Sequence, residues 1–178
     1  LAPDAVLPAD IDETPLKGEL PRAYALRMGR EKALAVDAPG FVLAGDTVVA
    51  VGRRILPKTE TEEEARACLE LMSGRRHQVL SSVVLRGPDG ALRERLDETV
   101  VCFKRLSAEE IAAYLAGGEW RGKAGGYAIQ GRAEAFVRLL AGSHSAVIGL
   151  PLYETVHLLE GAGYPVFHSW MTAPQSEV

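Results

Sequence analysis

Cysteine is nearly absent from this sequence: 178 residues carry only Cys68 and Cys102. A disulfide framework is improbable on that count. Lone thiols in apolar runs suit a reducing compartment, so the pattern predicts two reduced, largely buried thiols in a cytoplasmic protein. No apolar stretch approaches the length of a membrane span, and no signal peptide is visible, so no membrane partner is expected. There is no excess of positive charge either. Lys and Arg number 20 against 24 Asp and Glu, interspersed, for a net charge of −4. A nucleic-acid surface needs a basic stripe, so that class is excluded. Small anions remain open, because a few local lysines can bind a phosphate chain whatever the net charge. The histidines, His77, His144, His157 and His168, have no zinc-ligand spacing. Ser143-His144-Ser145 lacks the elbow that a serine nucleophile needs. Internal repeats, low-complexity segments and interdomain linkers are missing, which predicts one domain over residues 1–178.

What remains is ordinary globular material, 47% hydrophobic and 25% charged, enough for one core. Ala173 to Val178 reads as a frayed tail. Leu20 to Val36 reads as a helix with Pro21 in its first turn. Phe41 to Val51 is a Val-rich run broken by Gly45-Asp46-Thr47, and Ile55-Leu56 returns after the turn Gly52-Arg53-Arg54. Thr61 to Ser73 is the clearest helix: Thr61 and Glu64 have capping-box spacing, Ala65, Cys68, Leu69 and Met72 form one apolar stripe, and Gly74 ends it. Val79 to Leu85 and Thr99 to Phe103 read as antiparallel strands around the turn Gly87-Pro88-Asp89-Gly90. Ser107 and Glu110 open a helix that runs through Leu115. Glu119 to Gly131 is a glycine-rich loop. Phe136 to Leu140 and Ala146 to Ile148 are read as short strands, and Pro151 opens a last helix to Glu160. The fold class is α/β, a mixed sheet with helices packed against it.

Asp46 is the first candidate for chemistry. An aspartate inside a Val-rich run is costly to bury unless it is paired or bound to a metal. Following Gly45, it reads either as a turn residue between two short strands or as a carboxylate presented at a strand end. Glu13 ends the acidic cluster Asp10-Ile11-Asp12-Glu13, which is either a solvated loop or a source of hard oxygen ligands. If Glu13 meets Asp46 in space, the two could hold Mg²⁺ or Mn²⁺ against a triphosphate. Lys32, on the first helix, and Lys58, after Pro57, are candidate phosphate ligands, although surface lysines are the commoner kind. The loop Lys123 to Gly131 has glycines that let backbone approach a ligand. Its Gln130 can both donate and accept, as base reading or water positioning requires. The loop has neither Walker A nor dinucleotide-binding spacing.

Seven segments, in chain order, resemble the Maf family of nucleotide pyrophosphatases. They are DIDE at Asp10 to Glu13, EKA at Glu31 to Ala33, GDTVV at Gly45 to Val49 and ILPK at Ile55 to Lys58. LSAEEIAAYLAGGE at Leu106 to Glu119, KAGGYAIQG at Lys123 to Gly131 and VIGLPLYET at Val147 to Thr155 complete the set. The resemblance implies a fold similar to inosine triphosphate pyrophosphatases, with two lobes around a cleft, and a homodimer. It implies hydrolysis of nucleoside triphosphates to monophosphate and pyrophosphate with a divalent metal. Asp46 would be the catalytic carboxylate and, with Glu13, a metal ligand; Lys32, Lys58 and Gln130 would bind substrate. KAGGYAIQG is similar to the branch acting on dTTP and UTP rather than on 7-methyl-GTP. Two features depart from the family. Its N-terminal strand and Ser/Arg-rich loop have no counterpart in Leu1 to Ala9; the expectation is that this segment is missing from the chain as it stands. The usual Lys-Pro is Lys58-Thr59 here. A competing reading is a nucleotide-binding regulator of cell division without turnover. The enzyme reading requires Glu13, Lys32, Asp46, Lys58 and Gln130 to converge on one cleft.

Overall fold

The computed structural model describes residues 3–168. The tail Ala173 to Val178 lies outside them. Five strands form one sheet in the order β2-β1-β3-β4-β5: β1 Val42–Val51, β2 Arg54–Leu56, β3 Arg76–Arg86, β4 Leu92–Phe103 and β5 Val137–Ala141. Among the described residues every strand pairing is antiparallel, which corrects the expected mixed sheet. Two of the four pairings follow locally: tight turns at Gly52 and at Gly87 to Gly90 join β1 to β2 and β3 to β4, and hairpins can only be antiparallel; β1 with β3 and β4 with β5 pair across longer connections.

The side chains of β3 alternate between two helical layers. On one face, α1 (Pro21–Ala35) lays Tyr24, Ala25 and Met28 against Val48, Ala50 and Leu80. On the other, α2 (Glu62–Met72) and α3 (Ala108–Ala116) pack Leu69, Met72 and Ile111 against Val49, Val79 and Val101. Farther along that face, α5 (Leu152–Gly161) covers Val83 and Leu85. Each buried side chain of this size contributes about 1.5–3 kcal/mol of transfer free energy. Both expected capping boxes form, Thr61 with Glu64 and Ser107 with Glu110. Cys68 and Cys102 are free and buried.

Three expectations need correction. Ala146 to Ile148 is not a strand; it belongs to the short helix α4 (His144–Ile148), capped by Ser143 Oγ, which accepts from the Ala146 N–H at 3.2 Å. Phe136 ends a 3-10 turn (Arg132–Phe136), and β5 starts only at Val137. Strand β4 begins seven residues before Thr99. Its charged first half pairs outward to both layers, Glu94 with Arg30 on α1 and Arg95 with Glu154 on α5.

Candidate active site

Asp46 lies in the middle of β1, not at a strand end or in a turn. It is 6% exposed. What opens it to the surface is the shortness of β2, which pairs only with Val49 to Val51. The earlier half of β1 is therefore a sheet edge on that side. Asp46 and Thr47 sit just past the end of β2, one facing each layer. Gly45 permits this: a Cβ there would lie 2.5 Å from the Ser82 carbonyl oxygen. Gly29 does the same for α1, where a Cβ would lie 2.6 Å from Ser82 Oγ. The helix so approaches β3 at Ser82, the cross-strand partner of Asp46, closely enough for Lys32, one turn on, to reach Asp46.

Lys32 Nζ donates to Asp46 Oδ1 at 2.6 Å and lies 2.7 Å from Glu13 Oε1. Lys58 Nζ donates to Glu13 Oε2. Glu13 belongs to a segment without regular structure that is tied to α1. Tyr24 Oη donates to the Glu13 carbonyl at 2.6 Å, and Arg27 holds Glu19 and the Thr14 carbonyl. Of the acidic cluster, Asp12 instead caps Thr14 N–H, so Glu13 is the acid that joins the site. Lys58 is fixed by backbone pairing with the glycine loop. Lys58 bridges Ala124, Thr59 N–H donates to the Lys123 carbonyl at 3.1 Å, and Gly125 N–H donates to the Pro57 carbonyl at 2.9 Å. Thr59 is fully buried and its hydroxyl donates to the Trp120 carbonyl at 2.8 Å. A proline there could make neither Thr59 bond.

Two adjoining cavities share Asp46, Thr47, Lys58 and Ala124. One, of about 170 Å³, reaches Lys123, Tyr127 and Gln130 over a floor of Val79, Val147 and Ile148. The other, of about 370 Å³, reaches Glu13, Pro15 and Tyr24. The structure thus brings all five predicted residues to one place, four by direct ion pairing and Gln130 across the first cavity.

The electrostatics follow from burial set against pairing. Burial pushes the Asp46 carboxyl above its usual range, and the hydrogen bond from Lys32 only partly offsets it. Burial also pushes Glu13 up, but the bonds from Lys32 and Lys58 outweigh it and hold Glu13 low. Lys32 is pushed down by burial and raised further by Asp46 and Glu13, with a net rise. No group of three His, Cys, Asp or Glu among the described residues is placed to hold a metal. Two carboxylates completed by phosphate oxygens are nevertheless the donor set that Mg²⁺ takes, so Asp46 and Glu13 fit a metal that arrives with a polyphosphate.

Several site residues escape a reading of the sequence. Thr47 lines both cavities; its hydroxyl meets Ser81 Oγ at 3.0 Å, and Ser81 donates to the Ala146 carbonyl at 2.6 Å. The signal available was the pair Ser81-Ser82 inside an otherwise apolar strand. Tyr24 carried no signal, because it falls on the apolar stripe of α1. Ser143 and Ser145 serve as caps and bond each other: Ser145 Oγ accepts from Leu152 N–H at 3.2 Å, and the two hydroxyls lie 3.0 Å apart.

A family model described as Maf-like protein matches residues 1–162. The chain belongs to the Maf family. Its similarity extends to individual members. It is 59% identical to the dTTP/UTP pyrophosphatase of Mesorhizobium japonicum, over 97% of this chain and 88% of that protein. It is 65% identical to the dTTP/UTP pyrophosphatase of Rhodospirillum rubrum, over 92% of this chain and 80% of that one. With the dTTP/UTP pyrophosphatase of Novosphingobium aromaticivorans it shares 63% identity, over 93% and 84% respectively.

Proposed function

We propose that this Maf family chain hydrolyses nucleoside triphosphates, dTTP and UTP foremost, to the monophosphate and pyrophosphate. The observation that carries the reading is the ion-paired cluster of Asp46, Glu13, Lys32 and Lys58, of which Asp46 and Lys58 line the same cavity as Gln130. The names of relatives 59–65% identical support it. In this reading Lys32 and Lys58 exchange their carboxylates for phosphate oxygens and neutralise charge that repels a nucleophile. In one form of this reading Asp46, its basicity raised by burial, takes a proton from the water that attacks the α-phosphorus; in the other it serves as a metal ligand. The bond to the β-phosphate breaks, and pyrophosphate leaves against the lysines. Glu13 and Asp46 would hold Mg²⁺ or Mn²⁺, which supplies Lewis-acid charge neutralisation. Gln130 reads the pyrimidine edge by donating and accepting at once.

The wider reading is a single domain with two lobes around the cleft, similar to inosine triphosphate pyrophosphatases. The protein would act in the cytoplasm on free nucleotides rather than on nucleic acid, as a homodimer. The exposed apolar residues Ile148, Leu150, Leu152 and Tyr153 support the dimer. Pyrophosphate release from a panel of nucleotides with Mg²⁺ or Mn²⁺ tests the proposal. Release should be fastest with dTTP and UTP. Nucleotide binding without release would establish the regulator instead.

A further inference from the structure

The loop that carries Gln130 is anchored by a buried polar pair, one member of which, Tyr127, also lines the Gln130 cavity. His77, on β3, is 2% exposed, and Tyr127, on the loop, is 5% exposed. His77 Nε2 and Tyr127 Oη are 2.9 Å apart. The two rings meet edge to face, with Phe103 packed edge-on against both at 4.9 and 5.0 Å. The other ring nitrogen, His77 Nδ1, is buried with no hydrogen-bond partner among the described residues. A Phe-Leu pair of similar shape would fill this space without leaving a nitrogen unpartnered, so packing alone does not account for the choice. One residue beyond Tyr127, the Ala128 N–H donates to Tyr114 Oη at 3.1 Å, and Tyr114 is itself 2% exposed. Two buried hydroxyls therefore fix consecutive loop residues, and Gln130 follows within three residues. Gly125 and Gly126 have φ of +67° and +70°, in the left-handed region. Backbone bonds to Pro57 and Thr59 hold the first part of the loop, up to Gly125; the two side-chain anchors hold Tyr127 and Ala128, the stretch that leads directly to Gln130.

We propose that the Tyr127–His77 hydrogen bond positions the Lys123–Gly131 loop so that Gln130 meets the base, making Tyr127 and His77 positioning residues for pyrimidine selectivity. The inference rests on reading the Gln130 cavity as the base pocket. Base discrimination depends on directional hydrogen bonds that leave polar groups unpaired when they are misaligned, whereas the attraction of lysines for phosphate charge falls off gradually with distance. Loosening the loop should therefore act on selectivity before it acts on chemistry.

The test compares kcat/KM for UTP, dTTP, ATP and GTP, together with Tm, in four proteins besides the wild type. Gln130→Ala sets the pattern for loss of base reading. Tyr127→Phe removes one hydroxyl and leaves the packing; it should reproduce that pattern, with kcat/KM for UTP and dTTP falling about 10-fold through KM and the purine values within about twofold. Tyr114→Phe, a second release of the same loop, should act in the same direction. The double variant Tyr127→Phe/His77→Leu makes the pair apolar; Tm should recover toward wild type while selectivity stays lost. Selectivity that returns with Tm, or an equal loss on all four nucleotides in Tyr127→Phe, would overturn the inference alone. An equal loss on all four in Gln130→Ala would sink the base-pocket reading and the inference with it.

Discussion

Asp46 shows what a single residue needs in order to stay charged inside a sheet. It is tolerated because the edge of β1 is open beside it and Lys32 donates to it at 2.6 Å. Asp46→Asn keeps the size and removes the charge. Turnover should fall by roughly 10²-fold or more with the fold retained, a scale typical of lost general-base catalysis. Because burial raises the pKa of Asp46, the acid limb of kcat/KM in the wild type should lie above the usual aspartate range. Near-native turnover in the variant would remove Asp46 from the mechanism. His77 gives a second prediction at this scale. Burial lowers its pKa from 6.5 to about 4. As pH falls, the unfolded chain takes up the proton first, so the contribution to stability is whole above pH 6.5 and drains as pH falls to about 4. The full span corresponds to about 3 kcal/mol. Urea melts from pH 7 to pH 4 should show this slope, and His77→Leu should remove that part of it; parallel profiles would mean that His77 titrates normally.

At the scale of elements, the segment Pro57 to Thr59 matters out of proportion to its length. It is an irregular stretch that pairs with an irregular loop, and the pairing places Lys58 beside Glu13. Thr59 anchors it through its N–H bond to the Lys123 carbonyl and its hydroxyl bond to the Trp120 carbonyl. Thr59→Val deletes the hydroxyl bond to Trp120 while preserving shape and should destabilise by about 1 kcal/mol. Thr59→Pro also loses the N–H bond to Lys123 and should destabilise more. Chemical denaturation of the three proteins should give the order wild type, Val, Pro; a proline variant as stable as wild type would show that Thr59 is not an anchor. The elements themselves were unevenly legible. Capping boxes and apolar stripes located α2 and α3, since those signals are contained within each helix. The charged half of β4 was not legible, because its ion pairs come from α1 and α5, distant in sequence. Ala146 to Ile148 was misread because three apolar residues carry no period.

At the scale of the whole molecule, the site is a neutral set of two acids and two lysines drawn from four separate segments. Lys32 Nζ stands within 2.7 Å of both carboxylates, where a metal would have to compete with it. If Asp46 and Glu13 hold the metal, one arriving alone would have to break these ion pairs, whereas one arriving with a triphosphate would give each lysine a phosphate oxygen in exchange. Metal and nucleotide should therefore bind with positive coupling, and the coupling must be reciprocal. Titration of Mn²⁺ by calorimetry, with and without a non-hydrolysable UTP analogue, should show metal affinity rising about 10-fold or more when the analogue is present. Lys32→Met should shrink that ratio by strengthening Mn²⁺ binding to the free protein. Equal Mn²⁺ affinity in both conditions would refute the exchange.

The sequence by itself determined the kinds of groups available and most of the local structure. Asp46 stands out in an apolar run, Glu13 in an acidic cluster and Gln130 in a glycine loop, and each property is carried by residues adjacent in the chain. Only the tertiary structure decided that Glu13 pairs with Lys32 and Lys58, that Asp46 is mid-strand, and that His77 and Tyr127 meet. Those outcomes depend on the register of β1 against β3, on where β2 stops, and on how closely Gly29 and Gly45 allow neighbouring elements to approach Ser82. Such contacts join residues dozens of positions apart, and their geometry is fixed by packing of the whole sheet rather than by any local pattern.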